Sequence, residues 1–169
     1  MPLACALCRD LVALPSLRQS AAYLPNFALS NIEISIPPKS DYVALVRRLT
    51  GDITSIISPL SQTDIDDLMI SISEATTNAV RAHSNKGTSR PITIKFSFDT
   101  AALTVEVRDR GGGFKPHMID ELPDVTDPER LNFENGLGVF LYCTLTDEHE
   151  ITCSRRGTRV RLVKNYSKS

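Results

Sequence analysis

Several things are scarce or missing in this chain. No run of about eighteen or more apolar residues occurs, so a helical membrane span is not expected. The apolar start "MPLACALCRDLVALPSL" lacks a basic leading region and is interrupted by Arg9, which makes it weak as a secretory signal. A surplus of one charge is also missing. Lys and Arg number 19 against 20 Asp and Glu, a formal net charge of −1. Nothing in that balance argues for a nucleic-acid or anionic-membrane partner. The four cysteines, Cys5, Cys8, Cys143 and Cys153, are too few for a disulfide framework in 169 residues. Cys5 and Cys8 form a lone C-x-x-C with no second pair at zinc spacing, so they read as two apolar thiols in a tail. A reducing cytoplasm suits this usage best. There is no G-x-x-x-x-G-K-[ST] phosphate loop. Neither glycine cluster completes G-x-G-x-x-G, because Pro116 and Leu141 stand where the third glycine belongs. Internal repeats and low-complexity tracts are absent too.

What is present is a patterned globular chain, 41% hydrophobic and 23% charged, of a size suited to one domain with a tail. Residues 1–30 carry no regular pattern and read as an N-terminal extension open to disorder. "NIEISI" (31–36) alternates as a strand and ends at Pro37-Pro38. Ser40 is expected to cap a helix over 41–57, with Tyr42, Leu45, Val46 and Leu49 on its apolar side and Gly51 as a weak point that divides it. A second helix starts near Thr63. Its stripe of Ile65, Leu68, Ile72, Ala75, Ala79 and Ala82 is the strongest periodic signal in the chain. Residues 84–91 read as a loop, "ITIKFSF" and "LTVEVRD" as a hairpin, and 115–135 as a long lid-like connector. A helix opens at the glycines of "GLGVFLYCTLT", and "HEITCS" and "TRVRLVK" close the chain as two strands. Hairpins outnumber β-α-β units. The expected fold class is therefore α+β, a two-layer sandwich with helices on one face of a mostly antiparallel sheet.

Three short segments hold the candidate chemistry. In "ISEATTNAV", Glu74 and Asn78 stack one turn apart at the rim of the buried face, next to a row of alanines. By themselves they read as boundary residues with their polar ends in solvent. In "VRDRGGGF", Asp109 ends a strand and glycines follow at 111, 112 and 113, where the backbone could turn freely or let a ligand come close. In "NGLGVF", Gly136 and Gly138 precede a helix, either as capping residues or as a seat for phosphate at the helix N-terminus.

Taken in order, E-x-x-x-N on a helix, D-x-G-x-G after a strand and G-x-G before a helix resemble the N, G1 and G2 boxes of the GHKL ATPase superfamily. "RRGTRVRLVK" is similar to its closing glycine-threonine segment. The resemblance covers residues 31–165, leaving 166–169 as a tail, and the pattern looks most like the anti-sigma-factor serine/threonine kinases of bacterial partner-switching systems. It implies the Bergerat ATP-binding fold, with ATP and Mg²⁺ as cofactors. It further implies Asn78 as the Mg²⁺ ligand, Glu74 as general base and Asp109 as acceptor for the adenine amino group. Gly111 and Gly113 would lie against the base, Gly136 and Gly138 at the phosphates, and Thr158 would support the adenine end. Small neighbours such as Ala75 and Ala79 would leave room for the triphosphate. The implied partners are an anti-sigma-factor antagonist as substrate, a sigma factor and a second copy in a homodimer, with no direct nucleic acid or membrane. A nucleotide-gated binding module and a histidine-kinase-type ATPase domain stay open as alternatives. Two features depart from the family pattern. Ala82 stands where a histidine is usual, which leaves His83 as a structural residue. Glu134 and Asn135 stand where some relatives carry an arginine, and Arg130 is the nearest one.

Overall fold

The computed structural model describes residues 30–112, 141, 142 and 144–166. The elements run β1 (Ser30–Ile36), α1 (Asp41–Ile57), α2 (Gln62–Lys86), β2 (Ile92–Phe98), β3 (Ala102–Arg108), β4 (Glu148–Ser154) and β5 (Gly157–Asn165). Leu141, Tyr142, Thr144 and Leu145 are helical. The lid-like connector and most of the helix after the second glycine cluster lie outside the described residues.

The strands form one sheet in the order β1-β2-β3-β5-β4, and every pairing is antiparallel. Their alternation sorts the two faces. Ile34, Ile94, Val107, Val160 and Ile151 stand in one cross-strand row, with Phe96, Val105 and Leu162 in the next. These face the helices, and the best-covered among them are fully buried. The opposite face is polar and charged. The result is the α+β sandwich expected from the hairpin-rich order.

α2 lies across β2, β3 and β5, and α1 packs on α2. Ile65, Leu68, Ile72, Ala75 and Ala79 are buried as their spacing predicts. At the end of the stripe the pattern shifts by one residue: Ala82 is only partly buried, and His83 takes the core position at 1% exposure. α2 is capped by Ser61, whose hydroxyl accepts the Asp64 N–H at 3.2 Å. It ends at Gly87 in a left-handed conformation, φ 66°. The first three residues of the expected loop, Ser84 to Lys86, are still helical.

α1 corrects three expectations. Ser40 precedes it but has helical dihedrals, so its hydroxyl makes no capping bond. Leu45 faces solvent at 36% exposure, and the buried positions are Val46, Thr50 and Thr54. Gly51 does not divide the helix. A β-carbon there would come within 2.9 Å of Met69 Sδ, so the glycine is where the two helices touch. The buried threonines fit because their hydroxyls donate to carbonyls one turn back, Thr50 to Val46 at 2.9 Å and Thr54 to Thr50 at 2.7 Å.

A buried cation ties the layers together. Lys164 on β5 is 8% exposed, and its Nζ lies 2.8 Å from Asp64 Oδ1 and 3.7 Å from Asp67 Oδ2 in the first turns of α2. Burial opposes the Lys164 charge. The Asp64 hydrogen bond and the nearby Asp147 and Asp67 outweigh it, so the pKa stands above the ordinary value. The Lys164 hydrogen bond, with help from Ser61, holds Asp64 below the usual carboxylate value.

Candidate functional site

α2 sets the axis of the site. Glu74 and Asn78 are both partly buried and stand one turn apart on the same side, roughly 6 Å along the helix. Glu74 forms no hydrogen bond or ion pair among the described residues. The Asn78 amide oxygen lies 3.5 Å from Arg81 Nη1, the outer limit of a hydrogen bond, so it keeps a lone pair for another partner. Ala75 and Ala79, the neighbours expected to leave room for a ligand, belong to the apolar core at 2% and 3% exposure. Their small size sets how closely α2 approaches the sheet and is not clearance for a triphosphate.

A loop fastened from three sides holds the other end of the site. Asp109 follows the last residue of β3, and its N–H donates to the Thr158 carbonyl on β5 at 2.9 Å. The Gly111 N–H donates to Asp109 Oδ1 at 2.7 Å, closing a tight turn around the carboxylate. The Arg110 N–H reaches His83 Nε2 at 3.4 Å, while His83 Nδ1 sits 2.8 Å from the Ala79 carbonyl oxygen. A carbonyl can only accept, so Nδ1 carries the proton and Nε2 is left free to accept from Arg110. His83 therefore joins the glycine loop to α2 about five residues, or roughly 7.5 Å, beyond Asn78.

Two glycines make this closeness feasible. A β-carbon on Gly111 would lie 2.6 Å from the backbone carbon and Cβ of Ala82, so no side chain fits between loop and helix. A β-carbon on Gly157 would overlap the Asp109 carbonyl. The Asp109 carboxylate keeps one oxygen, Oδ2, outside this turn. A donor such as an exocyclic amine could pair with it.

Of the residues singled out from sequence, Glu74, Asn78, Asp109, Gly111 and Thr158 lie on the two adjoining elements α2 and the β3–β5 end. Thr158 contributes its backbone carbonyl, and its side chain is half-buried. Gly113, Gly136, Gly138 and Arg130 lie outside the described residues. Sequence reasoning missed the loop-fastening roles of His83 and Gly157. A lone histidine carries no signal of its own, but the glycine stood inside the quoted "RRGTRVRLVK", which was read only for its likeness to the closing glycine-threonine segment. Among the described residues, no group of three or more His, Cys, Asp or Glu could hold a metal. The Asn78 amide oxygen is of the ligand type that Mg²⁺ accepts alongside retained waters. No described helix is long and apolar enough to cross a membrane.

Comparison with known proteins agrees with this geometry. Residues 36–164 match the family model described as a histidine kinase-like ATPase domain. A serine-protein kinase RsbW from Bacillus cereus (strain ATCC 10987) is 35% identical over 123 residues, which cover 71% of this chain and 76% of that one. The serine-protein kinase RsbW of Bacillus pumilus (strain SAFR-032) is 32% identical over 144 residues, covering 82% and 88%. In fold, the chain is similar to the RsbU and RsbW domains of a Mycobacterium tuberculosis protein, with TM-score 0.59 and 19% identity over 80% of this chain and 31% of that longer one. The superfamily resemblance read from the three boxes is borne out, and the protein-kinase class expected here is the one its curated relatives are named for. The chain belongs to the histidine kinase-like ATPase domain family.

Proposed function

We propose that this protein is an ATP- and Mg²⁺-dependent serine/threonine kinase that acts as an anti-sigma regulatory factor. Its substrate would be a small antagonist protein, and the phosphorylation state of that antagonist would set how much sigma factor the kinase holds. The observation that carries the reading is the fastened Asp109 loop, which His83 fixes to the same helix that presents Asn78 and Glu74. One extended ligand could lie along α2 with its purine at Asp109 and its phosphates near Asn78.

In this reading Asp109 Oδ2 accepts from the adenine amino group, and Gly111 keeps the loop backbone flush with the base. Asn78 would hold Mg²⁺ through its amide oxygen, and the ion would neutralise phosphate charge. Glu74 takes the proton of the attacking serine or threonine hydroxyl. The hydroxyl oxygen then bonds to the γ-phosphorus, the bond from that phosphorus to the bridging oxygen breaks, and ADP leaves. Positioning and charge neutralisation supply most of the acceleration in such transfers. Two copies could form a homodimer.

The test is transfer of label from γ-labelled ATP to a candidate antagonist. Glu74→Ala should lower the transfer rate by roughly 10²–10⁴-fold, the usual contribution of a positioned base, with ATP affinity nearly unchanged. Collapse of affinity in that variant would contradict the base assignment. ATP binding without any transfer by the unmutated protein would make it a nucleotide-gated binding module instead.

A further inference from the structure

The sheet face turned away from the helices carries a concentration of positive charge, which reaches Asp109 and Thr158 at the base end of the nucleotide site. At the end formed by the start of β2, the end of β3 and the β4–β5 turn lies an open cavity of about 1080 Å³. Eight of the side chains around it are Lys or Arg and four are Asp or Glu. The chain as a whole has 19 basic and 20 acidic residues, so composition does not explain the local excess.

The arrangement opposes fold stability in two ways. Arg108 and Arg159 stand directly opposite each other on β3 and β5, and like charges in that register destabilise a strand pair. Each pairs with one carboxylate on the same face, Arg108 with Glu106 at 2.6 Å and Arg159 with Glu150 at 3.0 Å. The Arg159 Nε is buried and finds no acceptor among the described residues. Around this pair Arg90, Arg110, Arg155 and Arg156 are exposed and form no ion pair among the described residues.

We propose that this basic floor docks an acidic, extended segment of a protein partner. Guanidinium groups pair with carboxylates in forked geometry, so a segment with several Asp or Glu side chains matches the spread of arginines. Nucleic acid fits less well. Among the described residues, no aromatic side chain lines the cavity to stack a base. The cavity shares Asp109 and Thr158 with the proposed nucleotide site, but docking is tested without nucleotide, so its failure and the failure of the kinase reading are distinguishable.

Anisotropy of a fluorescein-labelled oligo-glutamate peptide tests it on the full chain. The unmutated protein should bind the peptide, with affinity falling as salt is raised. Reversing both turn arginines, Arg155→Glu with Arg156→Glu, should weaken binding roughly tenfold or more. Arg47→Glu with Arg48→Glu, on the exposed side of α1, makes the same change in net charge and should leave affinity within about twofold. Arg90→Glu, in the loop before β2, gives an independent reading of the same face should the double variant at the turn fail to fold. Absence of binding, equal weakening by the two double variants, or tighter binding of single-stranded oligo-thymidylate would each overturn the proposal.

Discussion

At the scale of single residues, the site depends on closeness that only glycine permits. Gly157 sits at φ 154° with its α-carbon against the Asp109 carbonyl, and Gly111 packs on the backbone of Ala82 and His83. Gly157→Ala must push the loop away from β5 or strain the turn. The expected cost is about 1–3 kcal/mol of stability, read from the midpoint of urea unfolding, with a parallel loss of nucleotide affinity because Asp109 moves. Unchanged midpoint and affinity would contradict the packing described. The turn at Asp109 and Gly111 was suggested by "RDRGGGF", since that composition after a strand is unusual. The part played by His83 was not. Its side chain matters because tertiary packing buries it at 1% exposure and aligns both ring nitrogens with backbone groups. No local pattern encodes that.

At the scale of elements, Lys164 binds the first turns of α2 to β5. Asp64 has a lowered pKa, so its contribution is present above its ordinary value of 3.8 and lost as pH falls through the lower folded value. Lys164 has a raised pKa, so its contribution is complete below 10.5 and lost as pH rises through the higher folded value. Lys164→Met should therefore cost about 1–2 kcal/mol near neutrality, discounted for the partial exposure of Asp64. Its deficit against the unmutated protein should shrink at strongly acid pH, as followed by thermal melting across a pH series. A deficit of constant size down to acid pH would contradict the ion-pair account. The strands and both helices were legible from period-two and period-3.6 spacing. Parts of the helix faces were not. Thr50, Thr54, Ser71 and Thr76 are polar by composition yet buried, because each hydroxyl bonds a carbonyl one turn back. Leu45 is apolar yet exposed among the described residues, because the main packing partner of α1 is α2, on another side of the helix.

At the scale of the whole molecule, the order of elements was enough to suggest an antiparallel sheet under two helices, since hairpins join neighbouring strands. It did not reveal that β5 inserts between β3 and β4. That placement brings Thr158 beside Asp109 across about fifty residues of sequence, and so assembles one end of the site. The whole account reduces to one binding event: a purine triphosphate lying along α2, read at its base by Asp109. Titration calorimetry in the presence of Mg²⁺ measures it directly. The account predicts saturable single-site binding of ATP, tighter than GTP, weakened by roughly 1–3 kcal/mol in Asp109→Asn. No heat of binding at millimolar ATP, or equal affinity for ATP and GTP, would contradict it.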